Sequence, residues 1–302
     1  MFRLAIFSFE EKLGSDFSAR LRDASADVVS FPPPKDLNTS SYDGAVFLGR
    51  CPFPDRLIQP FLFAGKHVLL GTPLYRTSEQ LHRLAESGEQ HRAQLVVANP
   101  DRYLPSRQLV KQQVDSGKLG EIGLLRIHRW SSFEANDHIP HESGVPATML
   151  ADIDLTLWLF NKQPSRVYSV RNLVDQESAA VRGDNLQVHL GFPGGGMALI
   201  DNATSLPAGD GYQTLSIIGS SGAAYIDDHQ NTQLLFGGGQ PQGILASERT
   251  KQAVNLVQEF VDGLKAKQSP SNRISEWQEA ERVGQAICKS FSCGQAVHLE
   301  AV

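Results

Sequence analysis

The chain has 302 residues, 41% hydrophobic and 20% charged, with 28 Lys and Arg against 33 Asp and Glu and a formal net charge of -5. That is length for about two domains and the composition of a globular protein, which excludes a disordered chain. With no basic run interleaved with aromatics, nucleic acid is not an expected partner. The longest apolar stretches, such as Val68-Leu69-Leu70, fall far short of the roughly 18 residues that span a bilayer.

The segment Met1-Phe2-Arg3-Leu4-Ala5-Ile6-Phe7 is apolar for only a few residues before Glu10 and Glu11, so it reads as a first strand rather than a secretory signal, and a cytoplasmic protein is expected. In the first half, short apolar runs at Leu4–Phe7, Asp27–Phe31, Gly44–Leu48, His67–Leu70 and Gln94–Ala98 predict strands. Amphipathic stretches at Asp16–Asp23, Asp55–Ala64 and Thr77–Gly88 predict the helices between them, the βαβ rhythm of a parallel sheet. A further helix is expected over Ser106–Ser116, stopped by Gly117 and Gly120.

Then the rhythm changes. Leu124–Ser132, Ser165–Arg171, Asn185–Phe192, Gly196–Asn202, Gln213–Gly219, Ala223–Ile226 and Gln233–Phe236 follow one another with turn residues between, as in an antiparallel sheet. One helix intrudes at Pro146–Phe160, and two more close the chain at Ser247–Lys265 and Ser275–Cys288. The expected division is 1–119, a Rossmann-like α/β domain with a parallel sheet, and 120–302, an α/β domain with an open, mostly antiparallel sheet. The final helices are able to pack back on the first domain.

Several stretches carry a resemblance. Gly65-Lys66-His67-Val68-Leu69-Leu70-Gly71-Thr72-Pro73-Leu74 resembles the "GKHVLxEKPL" segment of the Gfo/Idh/MocA family of NAD(P)-dependent, mostly sugar-acting oxidoreductases. Ser116–Gly123 is similar to that family's "SGKIGEI" entry into the second domain. Asp152-Ile153-Asp154-Leu155 followed by Trp158-Leu159 resembles its "HxIDLxxWL" helix, Ile217–Asp228 its "IxGtxGxxxxdd" strand pair, and Glu259–Leu264 its penultimate helix. The similarity runs in order along nearly the whole chain. It implies a dinucleotide-binding domain followed by a sheet domain that the family often uses to form dimers or tetramers.

The residues that carry the family's chemistry are replaced here. A dinucleotide-binding turn needs glycines so that backbone can approach the pyrophosphate at a helix N-terminus. The fingerprint positions fall on Ser8, Glu10 and Leu13, and Glu10 with Glu11 would repel a phosphate by about 1 kcal/mol per charge pair even in water. The second strand ends Val28-Val29-Ser30-Phe31-Pro32-Pro33-Pro34 without the acid that would hold a ribose. The short span from Ser30 to Leu48 also leaves the second βαβ unit truncated. By the same resemblance, the catalytic lysine maps to Thr72 with its glutamate neighbour at Gly71, the histidine to Ala151, and the aspartate four residues before it to Ala147. None of these side chains titrates near neutrality, as general acid–base work requires.

What remains near the expected crevice is polar. Asn99, Arg102 and Tyr103 resemble the family's "N-x-R-Y/F" loop, and Arg102 is read either as a carboxylate ligand or as a structural pair to the second domain. Asp154 shares a helix face with Ala147, Ala151 and Trp158, beside an apolar stripe of Leu150, Ile153, Leu157 and Phe160. It is read either as a ligand contact or as a domain-surface carboxylate. The segment from His128-Arg129-Trp130 through Asp137, His138, His141 and Glu142 is the one cluster of metal-type residues, with His141 a possible crevice residue. A surface loop is expected there and no metal site, because Pro140 breaks any helical ligand spacing. Gly194–Gly196 and Gly237–Gly239 are expected turns. Cys51, Cys288 and Cys293 are expected to be ordinary thiols.

The leading expectation is a degenerate family member, a pseudoenzyme without standard NAD(P)-dependent dehydrogenase activity. Such a protein would act in binding, scaffolding or regulation, would hold no dinucleotide cofactor, and would form homo-oligomers or assemble with related proteins through the second-domain sheet. A small-molecule ligand is compatible with it. The alternative is an active oxidoreductase on a sugar or polyol-like substrate, using NAD or NADP in a non-standard cofactor site, or a different reaction built on Asp154, Arg102 and His141.

Overall fold

The computed structural model describes residues 2–8, 17–22, 24–29, 38–49, 53–72, 76–132, 142–175, 182–206, 211–227, 232–236, 242–245, 249–266 and 274–300. The chain divides into two compact units, Met1–Tyr103 with Glu248–Gln278, and Leu104–Ser247 with Glu279–Val302.

The first unit is built on a parallel five-stranded sheet. Its strands are β1 (Phe2–Ser8), β2 (Ala24–Val29), β3 (Gly44–Leu48), β4 (His67–Gly71) and β5 (Leu95–Ala98), in the order β2-β1-β3-β4-β5. Every residue of β3 and β5 is buried, as strands covered on both faces must be. Period-two alternation sorts their side chains. Leu4, Ile6, Val46, Leu48, Leu69 and Val96 pack on one face against Ala253, Leu256, Val257 and Phe260 of α5 (Arg249–Lys265). On the other face Phe7 stacks on Phe47 at 4.5 Å, with Phe61 of α1 (Asp55–Phe63) edge-on to both. The next helix, α2 (Ser78–Gln90), opens with a capping box: Gln80 N–H donates to Thr77 Oγ1 at 3.2 Å and Thr77 N–H to Gln80 Oε1 at 3.0 Å.

The expected helix at 16–23 is a correction. Among the described residues between β1 and β2, only one 3-10 turn, Ser18–Arg20, is helical, and Leu21 after it is extended. Phe17 and Leu21 are drawn into the core beneath α5, and the polar residues between them are too few to sustain an amphipathic helix.

The second unit carries α3 (Pro105–Asp115), β6 (Ile122–Ser132), α4 (Ala147–Phe160) and the strands β7 (Arg166–Asp175), β8 (Arg182–Gly191), β9 (Met197–Leu206), β10 (Gly211–Gly219) and β11 (Ala223–Asp227). It continues through β12 (Thr232–Phe236), β13 (Gln242–Leu245), most of α6 (Ile274–Cys293) and β14 (Val297–His298). The nine strands form one sheet, β13-β12-β11-β10-β6-β9-β8-β7-β14. Every pairing in it is antiparallel except the parallel β6–β9 pair at its centre. The sheet is open and mostly antiparallel, as expected. Gly194–Gly196 turn β8 into β9 with positive φ, whereas Gly237–Gly239 lie outside the described residues.

Two of the resemblance-bearing stretches turn out to interlock. Ser221 N–H donates to Leu119 O at 3.0 Å and Ser220 N–H to Glu121 O at 2.9 Å, while Ser220 Oγ accepts from Glu121 N–H at 3.1 Å. A Cβ on Gly219 would stand 2.0 Å from Leu119 O. Only glycine lets the two backbones approach this closely.

Candidate functional site

In an open parallel sheet, ligands bind outside the carboxyl ends of the strands, where the strand order reverses. In the first unit that point lies between β1 and β3, so the relevant ends are Ser8, Leu48-Gly49, Gly71-Thr72 and Ala98-Asn99. Gly49 has φ 109, a turn conformation suited to glycine.

Thr72 is 5% exposed, and its N–H donates to Ala98 O at 2.8 Å. Its hydroxyl is buried with no hydrogen-bond partner among the described residues. Gly71 before it is walled in, since a Cβ there would meet Leu48 Cδ2 at 3.0 Å and Pro100 Cγ at 3.3 Å. A glutamate does not fit that space without displacing both.

The loop after β5 is tied to the unit's own helices. Asn99 Oδ1 accepts from Asp101 N–H at 3.1 Å, and Asn99 O accepts from Arg102 N–H at 3.1 Å. Arg102, 3% exposed, forms an ion pair with Glu276 of α6. Tyr103 OH donates to Glu259 Oε1 at 2.9 Å, and Gln252 Nε2 donates to Asp101 Oδ1 at 3.1 Å. The guanidinium of Arg102 thus has a carboxylate supplied by its own unit.

Of the glycine-fingerprint positions, Ser8 is described and continues β1, in register with Leu48 of β3. Glu10 and Leu13 lie outside the described residues. A dinucleotide pyrophosphate needs bare backbone and an α-helix N-terminus immediately after β1. Of that stretch only Ser8 and, further on, the 3-10 turn at Ser18–Arg20 are among the described residues.

In the second unit α4 departs from its expected amphipathic pattern. Ala147, Ala151 and Asp154 are buried, but so are Leu150, Ile153 and Phe160, and only Leu157 and Trp158 are half-buried. A helix apolar on nearly every side is one enclosed on every side. The position equated with histidine by resemblance, Ala151, is a methyl group at 5% exposure, and Ala147 is at 1%.

Sequence reasoning missed a buried ion pair of this unit. Asp152, fully buried, accepts two hydrogen bonds from Arg129 of β6, Nε to Oδ2 at 2.8 Å and Nη2 to Oδ1 at 2.7 Å. The signal was present: Arg129 follows Leu125 and Ile127 at inward positions of an alternating strand, where a cation demands a buried acid.

Of the segment from His128 through Glu142, the described part divides between the two faces of β6 and a turn. Strand alternation separates Arg129, which faces α4, from His128 and Trp130 on the opposite face. There His128 Nδ1 lies 3.2 Å from Asp201 Oδ2, and Trp130 Nε1 donates to the same oxygen at 3.0 Å. The His128 bond, helped by Trp130, outweighs burial and holds the Asp201 carboxyl below its ordinary value. Asp137, His138 and His141 lie outside the described residues, and Glu142 is an exposed turn residue. No group of three or more His, Cys, Asp or Glu side chains among the described residues is placed to hold a metal. Half-buried Cys288 donates to Ser143 O at 3.1 Å, and burial pushes its thiol up; Cys293 is exposed. No helix among the described residues is long and apolar enough to cross a membrane.

Residues 107–225 match the model of the GFO/IDH/MocA C-terminal domain. The inositol 2-dehydrogenase of Rhizobium meliloti (strain 1021) is 26% identical over 179 residues, 58% of this chain, so the match spans about half (54%) of that relative's length. The myo-inositol 2-dehydrogenase of Thermotoga maritima is 25% identical over 252 residues, 79% of this chain and 74% of its own. Among solved structures, the aldose-aldose oxidoreductase of Caulobacter crescentus in complex with glycerol superimposes with TM-score 0.76 at 14% identity, covering 99% of both chains. An inositol dehydrogenase homologue from Azotobacter vinelandii in complex with NAD+ gives TM-score 0.73 at 16% identity, covering 99% of this chain and 97% of that one. At these identities the structural matches speak for the fold.

Proposed function

We propose that this chain, whose residues 107–225 match the GFO/IDH/MocA C-terminal domain and which resembles inositol dehydrogenases, is a Gfo/Idh/MocA oxidoreductase relative that binds a small molecule without carrying out NAD(P)-dependent dehydrogenation. The observation that carries this reading is what stands at two sets of positions, taken each in its own unit. Thr72 follows β4 in the first, and Ala147 and Ala151 sit buried on α4 in the second. These are the positions that the resemblance equates with the family's lysine, aspartate and histidine. Transfer of a hydride from a carbinol carbon requires a base that takes the hydroxyl proton. A neutral hydroxyl and two methyl groups do not accept one near neutral pH. The serine at the first fingerprint position supports the same reading from the cofactor side.

A second copy of the chain is the proposed partner. Tyr168, Val170, Met197, Ile218 and Tyr225 are all of the exposed large apolar side chains among the described residues except Phe63. Cross-strand registers put all five on the sheet face opposite α4, together with Arg126, His128 and Asp201, and a mixed face with that many exposed apolar side chains is suited to association. Sedimentation of the wild type against Val170→Glu/Tyr225→Glu tests it: an oligomer that dissociates in the variant supports the face, and a monomeric wild type rejects it.

One observation favours the other reading, an active oxidoreductase with a non-standard cofactor site: Asp154, at 4% exposure on the Ala147–Ala151 face of α4, is a retained buried acid. The deciding assay follows NAD+ and NADP+ reduction with myo-inositol and a panel of aldoses. The proposal expects rates indistinguishable from enzyme-free controls. Turnover that Asp154→Asn abolishes would establish the oxidoreductase instead.

A further inference from the structure

A cavity of about 580 Å³ opens between α1 and α2 of the first unit, in the size range that holds a small molecule. Its lining includes none of the strand-end residues Ser8, Leu48, Thr72 and Asn99. The floor is apolar, made by Phe53 and Leu84, which are 5% and 4% exposed. The walls are polar. Asp55 and Gln59 stand one turn apart on α1, and Gln80, Arg83 and Ser87 recur at helical spacing on α2.

The two charged ends of this cavity are unlike. At one, Arg76 donates to Asp55 Oδ1 through Nε at 3.1 Å and Nη2 at 2.8 Å, and also to Phe53 O. Both bonds fall on one carboxylate oxygen, so Asp55 Oδ2 keeps its lone pairs for a further donor. At the other end, Arg83 is 65% exposed, and its partner among the described residues is Glu79, four positions before it, at 3.2 Å. An exposed pair of that kind contributes little and yields readily to a competing carboxylate. From Thr77, which caps α2 beside Arg76, to Arg83 is six residues of helix, roughly 9 Å. About three extended residues cover that distance, at roughly 3.3–3.6 Å each.

We propose that this cavity binds a short peptide with both ends free, its ammonium on Asp55 Oδ2 and its carboxylate on the Arg83 guanidinium. Gln59, half-buried in the wall between, offers an amide to the peptide groups, and Phe53 and Leu84 lie beneath the middle side chain. A simple anion would meet the Asp55 carboxylate and a simple cation the Arg83 guanidinium, so the arrangement selects against ligands of one sign. The charges also stand too far apart for a single α-amino acid, whose ammonium and carboxylate share a carbon.

The test titrates the whole chain calorimetrically with trialanine, with its N-acetylated and C-amidated form, and with free alanine, in wild type, Arg83→Gln and Asp55→Asn. Saturable binding of trialanine by the wild type is expected. Binding at least about tenfold weaker is expected for the capped peptide, for alanine, and for trialanine with either variant. Arg83→Gln changes an exposed side chain and keeps the fold, so its result decides the matter whether or not Asp55→Asn folds. A wild type that does not saturate with trialanine, a capped peptide or alanine bound as tightly, or equal binding by Arg83→Gln or by a folded Asp55→Asn would each overturn the proposal. The proposed function concerns other residues, so NAD(P)-dependent turnover would overturn that reading and leave the trialanine comparison unchanged.

Discussion

Arg129 and Asp152 face each other across the space between β6 and α4 in a two-pronged ion pair, with bonds of 2.8 and 2.7 Å and no solvent exposure at the carboxylate. Removing one partner from such a pair strands the other charge in a medium that cannot solvate it, which costs more than the pair itself contributes. Asp152→Ala is therefore expected to destabilise the protein by about 3–5 kcal/mol. The double variant Arg129→Met/Asp152→Leu should recover most of that loss. Urea denaturation of the single and double variants checks both, and a double variant as unstable as Asp152→Ala would mean that the charges have no compensating role.

Gly219 is needed for a different reason. Its missing Cβ is what lets Leu119 O approach, and the obstacle is backbone that cannot rotate away. Gly219→Ala should cost about 1–3 kcal/mol through overpacking. Gly211, whose nearest atom to a built Cβ is Trp130 O at 3.9 Å, should accept alanine within about 0.5 kcal/mol. Paired thermal melts measure the contrast.

Asp201 sets an expectation for acid stability. The bonds from His128 and Trp130 hold its folded-state carboxyl below the ordinary value. A depressed carboxyl contributes stability that is fully present above its unfolded value, near pH 4, and is lost as the pH falls through the folded value. Asp201→Asn should therefore be less stable than wild type at neutral pH, with the gap narrowing as pH drops below about 4. Denaturation curves recorded from about pH 7 down to about pH 2 would show parallel lines if the contacts were without effect on folding.

Much of the fold was legible where one local pattern decides the outcome. β3 was read from Gly44 to Leu48, the bounds it has, because a strand buried on both faces is a bounded apolar run. β13 and β14 escaped notice: β14 has two residues and β13 four, both too short to show a period. The helix read at 16–23 had polar spacing but too little length, and the core holds Phe17 and Leu21 on either side of a 3-10 turn instead. Around the candidate site, the sequence displayed what stands at position 72 but not that its hydroxyl is buried without a match. It displayed Arg129 and Asp152 but not their meeting, because side chains that are far apart in the chain are joined only by tertiary packing.

The most direct test of the central claim is calorimetric titration of the wild-type chain with NADH and NADPH. The account predicts no saturable binding tighter than about 100 μM, the equivalent of about -5.5 kcal/mol, for either one. Tight, stoichiometric binding of one of them would contradict it, and would mean that the turn after Ser8 holds a dinucleotide without the family's glycines.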